Sequence, residues 1–442
     1  MSHRRLRLDA DTHRHGRVVV GGSPLKLFRL TDRGARIVER IEHGGEVDES
    51  PLVRSLLDAG AAHPVPAAAA DAFTEADVTV VVPALGRPEH LPPGAILVDD
   101  GSEPPLEGAD VRLDVNAGPG AARNAGLDRV ETPLVAFVDA DVRVDAGWLA
   151  GLLPDFDDVR GALGAPGVRS AAGSAGAVLA GYEADHSPLD LGGSAARVRP
   201  GSRVSYVPAA AIVCRTDAVR SVGGFDGDLR FGEDVDLVWR LDAAGWWVRY
   251  EPDTIVEHEV RPTWVAWARQ RVGYGSSAAP LSRRHDGALA PVRMSGWSLA
   301  AWTAGVALHP ALGVVVAAGS SAALVRKLDD LPPAFAFGLA WRGTMHAGEQ
   351  LGAAIRRVWW PLLAVAAIRS RCARRVLVLA ALTRRHPIGI VDDLAYSVGV
   401  WRGIVAERTA APLVPEIGSW PDRGGGRRRA KRLPIPRRPS ER

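Results

Sequence analysis

Cysteine is almost absent from the sequence, with only Cys214 and Cys372 among 442 residues. Two cysteines so far apart exclude a disulfide framework, and a reducing cytosolic compartment is expected. The first twenty residues carry charges where a secretory signal peptide would be apolar. The remaining composition, 47% hydrophobic and 24% charged, is typical of a globular protein of roughly two to four domains.

Charge is distributed unevenly along the chain. The net charge is +3, but residues 423–442 alone hold nine Arg or Lys against one Glu, so the rest of the chain is mildly acidic. This basic, Gly- and Pro-interrupted tail predicts a disordered segment. It is either a solvated end or a segment attracted to an anionic surface, and no specific nucleic-acid partner is expected.

Changes in composition and in the hydrophobic pattern along the chain predict five segments. Residues 1–70 form a small α+β unit with a winged-helix pattern, in which Thr31 caps one helix and Ser50, followed by Pro51, caps a second. The other four are the end of an Ala/Pro-rich linker (71–76), an α/β domain (77–285), an apolar helical region (286–420) and the basic tail (421–442).

Apolar runs that stop at polar residues characterise the α/β domain. The runs "DVTVVVPAL", "GAILVDDGS", "VRLDVN" and "PLVAFVDAD" predict parallel strands buried on both faces. Ligands of such sheets bind beyond the carboxyl ends of the strands. Polar residues at these ends are therefore expected to line one crevice: Asp99, Asp100, Asn116, Asp139 and Asp141.

Paired carboxylates indicate the chemistry of this crevice. Asp139 and Asp141, at positions i and i+2, can meet one Mg²⁺ or Mn²⁺ ion that takes further oxygens from a diphosphate, although such a pair also occurs in simple turns. Pro119 can open a helix whose N–H groups, together with Arg123, face phosphate or base. Glu233 and Asp234 begin another predicted helix and are either caps or functional carboxylates. His258 ends a strand-like run, where it is either structural or completes a metal site.

Four ordered motifs together resemble the inverting family 2 glycosyltransferases. They are V-D-D-G-S at 98–102, N-x-G-x-x-x-A-R-N-x-G at 116–126, D-A-D at 139–141 and G-E-D at 232–234. The resemblance covers about residues 77–285 and implies a GT-A fold, an α/β class with a mainly parallel sheet that binds a nucleotide sugar.

The same resemblance assigns roles to individual residues. It implies that Asp99 contacts uracil with help from Arg123, and that Asp139 and Asp141 bind the diphosphate and a Mn²⁺ or Mg²⁺ ion, with His258 as a further ligand. Asp234 would be the general base, with Glu233 the second candidate. The other implied donor-binding residues are Pro83, Asp100, Asn116, Gly118 and Asn124.

A closer resemblance is to the mycofactocin-system members of this family. It rests on "GGSPLKLFRLTDRGARIV", "VPAAAIVCRTDAVRSVGGFDGDLRFGEDVDLVWRL" and "RPTWVAWARQRVGYGSSAAPLSRRH". It implies a UDP-glucose donor, a peptide-derived acceptor or its maturation proteins as partner, and a β-linked glucose oligomer as product. The N-terminal unit is similar to peptide-recognition domains, or is a structural appendage. The alternatives are a polyprenyl or cell-wall lipid acceptor, and a non-catalytic peptide carrier.

Three features complete the expectations from sequence. The link "GRPEHLPPG" between the first two strands is too short for a normal crossover, so its helix should be missing. Trp246 and Trp247 offer a sugar-stacking surface, or core packing for one of them. Residues 295–325 contain no charged residue, so they either span a membrane once or, broken at His309, form two buried or interfacial helices. With Trp359 and Trp360 as interfacial anchors, the expected location is the cytoplasmic face of the membrane, or the cytoplasm.

Overall fold

The structure, a computed structural model, describes residues 3–65, 72–88, 90–384 and 386–418. They form two compact units, one ending at Trp264 and the other beginning at Val265. Most of the Ala/Pro-rich stretch (66–71) and the basic tail (421–442) lie outside the described residues, so the predictions made for them stay predictions.

The N-terminal part of the first unit combines two small antiparallel sheets with two helices. Its elements are β1 (His3–Leu8), β2 (His13–His15), β3 (Val18–Gly21), β4 (Lys26–Arg29), α1 (Asp32–Glu42), β5 (Glu46–Asp48), α2 (Pro51–Ala59) and β6 (Ala62–Pro64). The sheets have the orders β5-β1-β6 and β2-β3-β4. Both predicted caps are confirmed: Thr31 Oγ1 accepts from the N–H of Gly34 at 3.2 Å, and Ser50 Oγ accepts from that of Val53 at 3.2 Å.

This N-terminal part shares a hydrophobic core with the following domain. Trp247, only 4% exposed, belongs to the same buried cluster as Leu6 and Val53. Ion pairs reinforce the contact, since Arg203 lies 3.1 Å from Asp9 and Arg4 lies 2.6 Å from Asp158. The apolar cluster and the ion pairs hold the first 65 residues against the domain that follows.

The larger domain of this unit is built on one mixed sheet. Its described strands are β7 (Val78–Ala84), β8 (Ile96–Asp100), β9 (Val111–Leu113), β10 (Leu134–Val138), β11 (Val142–Arg143), β12 (Gly161–Ala171), β13 (Ala196–Val198), β14 (Ala211–Arg215) and β15 (Trp247–Glu259). The order is β11-β15-β12-β14-β10-β7-β8-β9, with β13 also paired to β15. β11, β13 and β14 run antiparallel to their neighbours and the other six share one direction. The predicted α/β class is confirmed.

Buried strands and close helix packing explain this arrangement. All five residues of β10 are buried, as expected for a strand covered on both faces. The domain's helices are α3 (Pro119–Leu127), α4 (Ala177–His186), α5 (Thr216–Ser221) and α6 (Glu233–Ala243). Helix α3 packs so close to β7 that a Cβ on Gly126 would lie 2.3 Å from Val81. The described residues between β7 and β8, 85–88 and 90–95, contain no helix, which agrees with the short link.

The second unit is mainly helical. Its elements are α7 (Trp264–Ser276), α8 (Ala278–Arg284), β16 (Arg293–Ser295), α9 (Gly296–Thr303), α10 (Pro310–Lys327), α11 (Pro333–Ala354), α12 (Trp360–Ala367), α13 (Arg371–Leu382), α14 (Pro387–Glu407) and β17 (Glu416–Gly418). Strands β16 and β17 pair in parallel. A π-helical turn (Ala304–Leu308) extends α9, and a second one (Ile355–Trp359) follows α11.

Of the two alternatives for residues 295–325, one membrane span or two helices broken at His309, the structure shows the broken arrangement. This stretch breaks at His309, whose backbone is extended, and Pro310 starts a new helix. Among the described residues, no helix combines the length and the apolar character needed to cross a bilayer. The two tryptophans predicted as interfacial anchors are half-buried and hydrogen-bonded within this unit: the indole N–H of Trp359 donates to the Leu413 carbonyl and that of Trp360 to Ser397 Oγ, both at 2.9 Å.

Candidate functional site

The candidate site lies where β10 ends. The Asp139 N–H donates to the Ala210 carbonyl at 2.8 Å, one residue beyond the last pair of β10 with β14, and the Asp139 carbonyl accepts from the Val142 N–H at 3.0 Å. Asp139 and Asp141 therefore sit in a tight turn at the carboxyl end of a buried strand. This is the end of a sheet at which α/β proteins bind their ligands.

Arg123 joins this turn to the start of α6. It lies in α3, is only 2% exposed, and donates from Nη2 to Asp139 Oδ1 at 2.6 Å and from Nη1 to Glu233 Oε1 at 2.8 Å. Its guanidinium also lies 5.3 Å from the ring centroid of Phe225. One buried cation thus connects three separate segments of the chain.

The carboxylates around Arg123 influence one another's protonation. Burial raises the pKa of Asp139, and the nearby Asp141 carboxylate adds to that rise, while Arg123 opposes it. Burial also raises the pKa of Glu233, again with a contribution from the adjacent Asp234 and against the effect of Arg123. Burial alone would lower the pKa of Arg123. The Asp139 and Glu233 carboxylates stabilise its charged form and raise that pKa. A like-charged cluster of this kind favours binding a proton or a metal cation.

Asp234 is the more accessible of the two acidic residues that begin α6. Glu233 is buried and bound to Arg123, whereas Asp234 is partly exposed. Asp234 Oδ2 accepts from the Ala209 N–H at 3.2 Å, so the segment that supports Asp139 through Ala210 also orients Asp234. Burial raises the pKa of Asp234, although hydrogen bonds from the Val235 and Ala209 N–H groups and the charge of Arg123 lower it. Its position and raised pKa suit a general base.

Asp141 lies beside His258 and Arg261. Its Oδ2 is 3.5 Å from His258 Nε2 and 3.0 Å from Arg261 Nη1, and the main chains of Val142 and His258 are paired between β11 and β15. In the ranges that the structure describes, no three His, Cys, Asp or Glu side chains are already gathered as metal ligands. The donor types nevertheless fit a Mn²⁺ or Mg²⁺ ion, which would relieve the repulsion between Asp139 and Asp141 and take its other ligands from water and phosphate.

Asp99 and Asp100 stabilise the loops around the crevice. Asp99 is fully buried and accepts from the N–H groups of Ser102 at 2.8 Å and Leu106 at 3.1 Å, and from Arg112. Burial opposes its ionisation, but these bonds lower its pKa to about 2. Asp100 accepts from the N–H groups of Ala117 at 2.7 Å and Gly118 at 2.9 Å.

This arrangement differs from the expected cooperation of Asp99 with Arg123. Both Nη atoms of Arg123 are directed to Asp139 and Glu233, and Asp99 is bound to its own loop and to Arg112. Contact of Asp99 with a nucleobase stays a prediction.

The other predicted donor-binding residues surround the start of α3. Gly118 has a φ of 98°, and a Cβ there would lie 3.1 Å from the Arg230 side chain. Arg230 also contacts Asn116, donating to its side-chain oxygen and, at 2.7 Å, to its carbonyl. Pro83 is buried at the end of β7, beyond the last residue that β7 pairs with β10. A missing N–H is tolerated there because no ladder bond to β10 is needed.

Asn124 performs a structural task. Its Nδ2 donates to the Phe225 carbonyl at 2.8 Å, and its Oδ1 accepts from the Phe225 N–H at 2.9 Å. It thereby joins α3 to the turn before α6, where Gly224 has a φ of 72° and leaves no room for a Cβ beside Asn124. Its contact with a donor stays a prediction.

Sequence analysis missed several residues of the site. Arg112, Arg230 and Arg261 each contact a predicted site residue, and Ala209 and Ala210 support two of them through the main chain. The sequence offers one signal for Arg261, which follows His258 by three positions. Isolated arginines and alanines carry no such signal.

The two tryptophans at 246 and 247 are remote from the site. Trp247 begins β15 and His258 lies near its end, about 35 Å away along an extended strand. Trp247 is buried in the cluster shared with the N-terminal strands, and the Arg160 guanidinium lies 3.6 Å from its ring centroid. The expectation of a sugar-stacking surface at this pair is wrong for Trp247, and the alternative of core packing is correct.

Comparison with known proteins gives the family. The model of "Glycosyl transferase family group 2" matches residues 134–384, and that of "Glycosyl transferase family 2" matches residues 89–174. The pre-mycofactocin glycosyltransferases of two Mycobacterium tuberculosis strains, CDC 1551 / Oshkosh and ATCC 25618 / H37Rv, are each 41% identical over 462 aligned residues, which cover 94% of this chain and 96% of theirs.

Solved structures are more distant. A mannosyltransferase from Pyrobaculum calidifontis in complex with GDP-Man and Mn²⁺ is 14% identical, with 77% of this chain and 90% of that chain covered and a TM-score of 0.42. The sequence relatives and the family models carry the assignment. The chain is a glycosyltransferase that belongs to family 2, and within it to the same family as the pre-mycofactocin glycosyltransferases.

Proposed function

We propose that this glycosyltransferase transfers glucose from UDP-glucose, with inversion and with a divalent metal, to the peptide-derived precursor of mycofactocin. Repeated transfer would build a β-linked glucose oligomer. The observation that carries the proposal is the charge cluster at the carboxyl end of β10, in which Arg123 holds Asp139 and Glu233 together and Asp234 follows Glu233 directly.

The donor end of the reaction uses the first part of this cluster. Asp139 and Asp141, with His258 as a third ligand, would hold a Mn²⁺ or Mg²⁺ ion, which when bound neutralises charge on the leaving diphosphate. Arg123 keeps Asp139 in a fixed position, because its 2.6 Å bond and its burial leave the pair little freedom. The loops held by Asp99 and Asp100 would form the wall against which the nucleotide lies.

The acceptor end uses Asp234. Its carboxylate takes the proton from the acceptor hydroxyl, and the oxygen attacks the anomeric carbon from the face opposite UDP. The bond between that carbon and the diphosphate oxygen then breaks, and its electron pair leaves with UDP. A positioned carboxylate base contributes about 10² to 10⁴ in rate. Asp234 suits this role better than Glu233, which is committed to Arg123.

The acceptor assignment is supported by the names of the relatives, which are pre-mycofactocin glycosyltransferases 41% identical over nearly the whole chain. The N-terminal part, with its β5-β1-β6 sheet and two capped helices, would contribute to binding the peptide-derived acceptor. Because the N-terminal part shares a hydrophobic core with the catalytic domain, it would present the acceptor in one fixed orientation relative to the large sheet of that domain.

A polyprenyl or cell-wall lipid acceptor is the second candidate. It is favoured by exposed apolar side chains on α12 and α13, among them Val365 and Leu382. The third alternative, a non-catalytic peptide carrier, is set aside because the chain belongs to a family of enzymes.

Donor, metal and stereochemistry can be tested together. UDP or GDP release from UDP-glucose, UDP-galactose and GDP-mannose would be measured with Mn²⁺, with Mg²⁺ and with EDTA. We expect UDP-glucose to be the preferred donor and EDTA to abolish the reaction. The anomeric proton of the product, read by NMR, should show a β linkage from the α-linked donor. Equal rates in EDTA, or an α-linked product, would contradict the metal-dependent inverting reaction.

A further inference from the structure

Helix α12 is apolar on every side, and its side chains are half-buried or exposed rather than buried. Its sequence, WPLLAVAA, contains only apolar residues, and none of these eight residues is buried. Val365 is 71% exposed, and Ile368, immediately after the helix, is 73% exposed. Single exposed apolar side chains are normal, but several on the open side of one wholly apolar helix form a patch of the kind that binds a partner or a membrane.

Helix α13 extends this surface. It follows α12 after three residues and packs against it. Val378, Leu379 and Leu382 in its last two turns are exposed, the last to 72%. We call the exposed apolar side chains of the two helices, together with Ile368 between them, the α12–α13 surface: Leu362, Val365, Ile368, Val378, Leu379 and Leu382.

Positive charge accompanies this surface. Residues 350–391 contain eight arginines and no Asp or Glu. Three of the eight pair with the buried Asp393: Arg356 and Arg357 at 2.6 Å each, and Arg384 at 3.8 Å. At the junction of the helices, Arg374 donates to the Ala367 carbonyl at 2.9 Å, while Arg369, Arg371 and Arg375 are exposed. Apolar side chains and cationic groups are therefore side by side on the same two helices.

This combination matches the chemistry of an anionic lipid surface. Amphipathic or apolar helices with Arg on their flanks lie in the membrane interface, where the side chains enter the acyl region and the cations meet lipid headgroups. Helix α12 has eight residues and is about 12 Å long, far too short to cross a bilayer of about 30 Å. We propose that α12 and α13 bind the chain to an anionic membrane surface by lying in its interface, without spanning it.

The chain contains a reporter for this proposal. Cys372 lies in the first turn of α13 and is exposed, whereas Cys214, the other cysteine, is buried. An environment-sensitive fluorophore such as NBD can therefore be attached at Cys372 in the full-length native protein. The label reads the α12–α13 surface itself, so attraction of the basic tail to lipid does not mimic the signal.

We expect a blue shift and an intensity increase of the label when vesicles of phosphatidylcholine with a quarter phosphatidylglycerol are added. Pure phosphatidylcholine should give a smaller change, and lipid-attached nitroxides near the headgroups should quench the label. The measurement needs neither donor nor acceptor, so its failure and a failure of the proposed glucosyl transfer can be told apart.

Two matched variants make the test specific. Val365→Glu places a charge on the α12–α13 surface, and Val178→Glu places one at a similarly exposed site (68%) on α4 of the other unit. We expect the first to reduce vesicle affinity at least about tenfold and the second to leave it unchanged, with circular dichroism confirming that both fold. An unaltered label spectrum with vesicles would overturn the proposal. So would equal effects of the two variants, or a spectral change that follows protein concentration without vesicles and so indicates a second copy.

Discussion

Arg123 Nη1 lies 2.8 Å from Glu233 Oε1, a bond between residues 110 positions apart that fixes the start of α6 beside the end of β10. The bond is buried on both sides. Removing one partner would be strongly destabilising, mainly because the other partner would remain as an unpaired charge in the interior.

Stability should reveal this coupling. Arg123→Met leaves Glu233 and Asp139 without their cation, and we expect a loss of about 3–5 kcal/mol in the free energy of unfolding. Glu233→Gln should also destabilise, but the double variant should lose clearly less than the sum, because it buries fewer unpaired charges. Urea unfolding of the three variants measures the coupling. Additive losses would show that the two residues do not act as a pair.

The catalytic carboxylate can be tested by a change that keeps its shape. Asp234→Asn should retain UDP-glucose binding while turnover falls at least about a hundredfold. Asp228→Asn, an exposed carboxylate of the preceding loop, is the matched control and should keep full turnover. Near-normal turnover of Asp234→Asn would move the base to another residue, with Glu233 first to be examined.

The raised pKa of Asp234 predicts that kcat/KM depends on pH. A base acts only when ionised, and burial raises the pKa of Asp234, so kcat/KM should fall on the acid side at a pH above the ordinary Asp value of about 3.9. Because Asp139, Glu233 and Asp234 influence one another, the midpoint belongs to the group of carboxylates. The residual activity of Asp234→Asn should lack this acid limb. An unchanged limb in that variant would assign it to another group.

Many local features could be predicted from sequence. The caps at Thr31 and Ser50, the strand runs and the missing helix after β7 all depend on neighbouring residues, and each has a clear local signal. The gathering of polar strand ends at one edge also follows from a general property of parallel sheets.

Long-range partners could not be predicted in the same way. Asn124 has the motif position of a donor-binding residue, yet its amide is bound to Phe225, 101 positions away. Trp247 is of a residue type that often stacks on sugars, but here it packs in the core formed with the N-terminal part. Spacing along the chain contains no information about such partners, since the fold alone brings them together.

Trp247 should be important for the stability of the whole first unit. Trp247→Ala would leave a cavity in the shared core, and we expect a loss of about 3–5 kcal/mol. Trp246→Ala, at a half-buried neighbour, should cost clearly less. Urea unfolding compares them. Similar costs would mean that the shared core contributes little. Because removal of residues 1–70 would expose this shared core, that truncation is a poor test of acceptor binding.

Substitution of Asp141 and substitution of its ion-pair partner Arg261 should change Mn²⁺ affinity in opposite directions. Asp141→Asn removes a ligand and should weaken Mn²⁺ binding about tenfold or more. Arg261→Gln removes the cation 3.0 Å from Asp141 and should strengthen Mn²⁺ binding in the absence of nucleotide. Titration of Mn²⁺ by electron paramagnetic resonance reads both. Weakening in both variants would show that Arg261 does not compete with the metal.

Transfer to the acceptor is the central claim, and intact-mass spectrometry tests it most directly. The full chain would be incubated with Mn²⁺, UDP-glucose carrying six ¹³C atoms, and either the peptide-derived mycofactocin precursor or a polyprenyl phosphate. We predict successive additions of labelled hexose to the peptide-derived precursor, and none with Asp234→Asn. Labelled hexose on the polyprenyl phosphate alone, or on neither acceptor, would contradict the account.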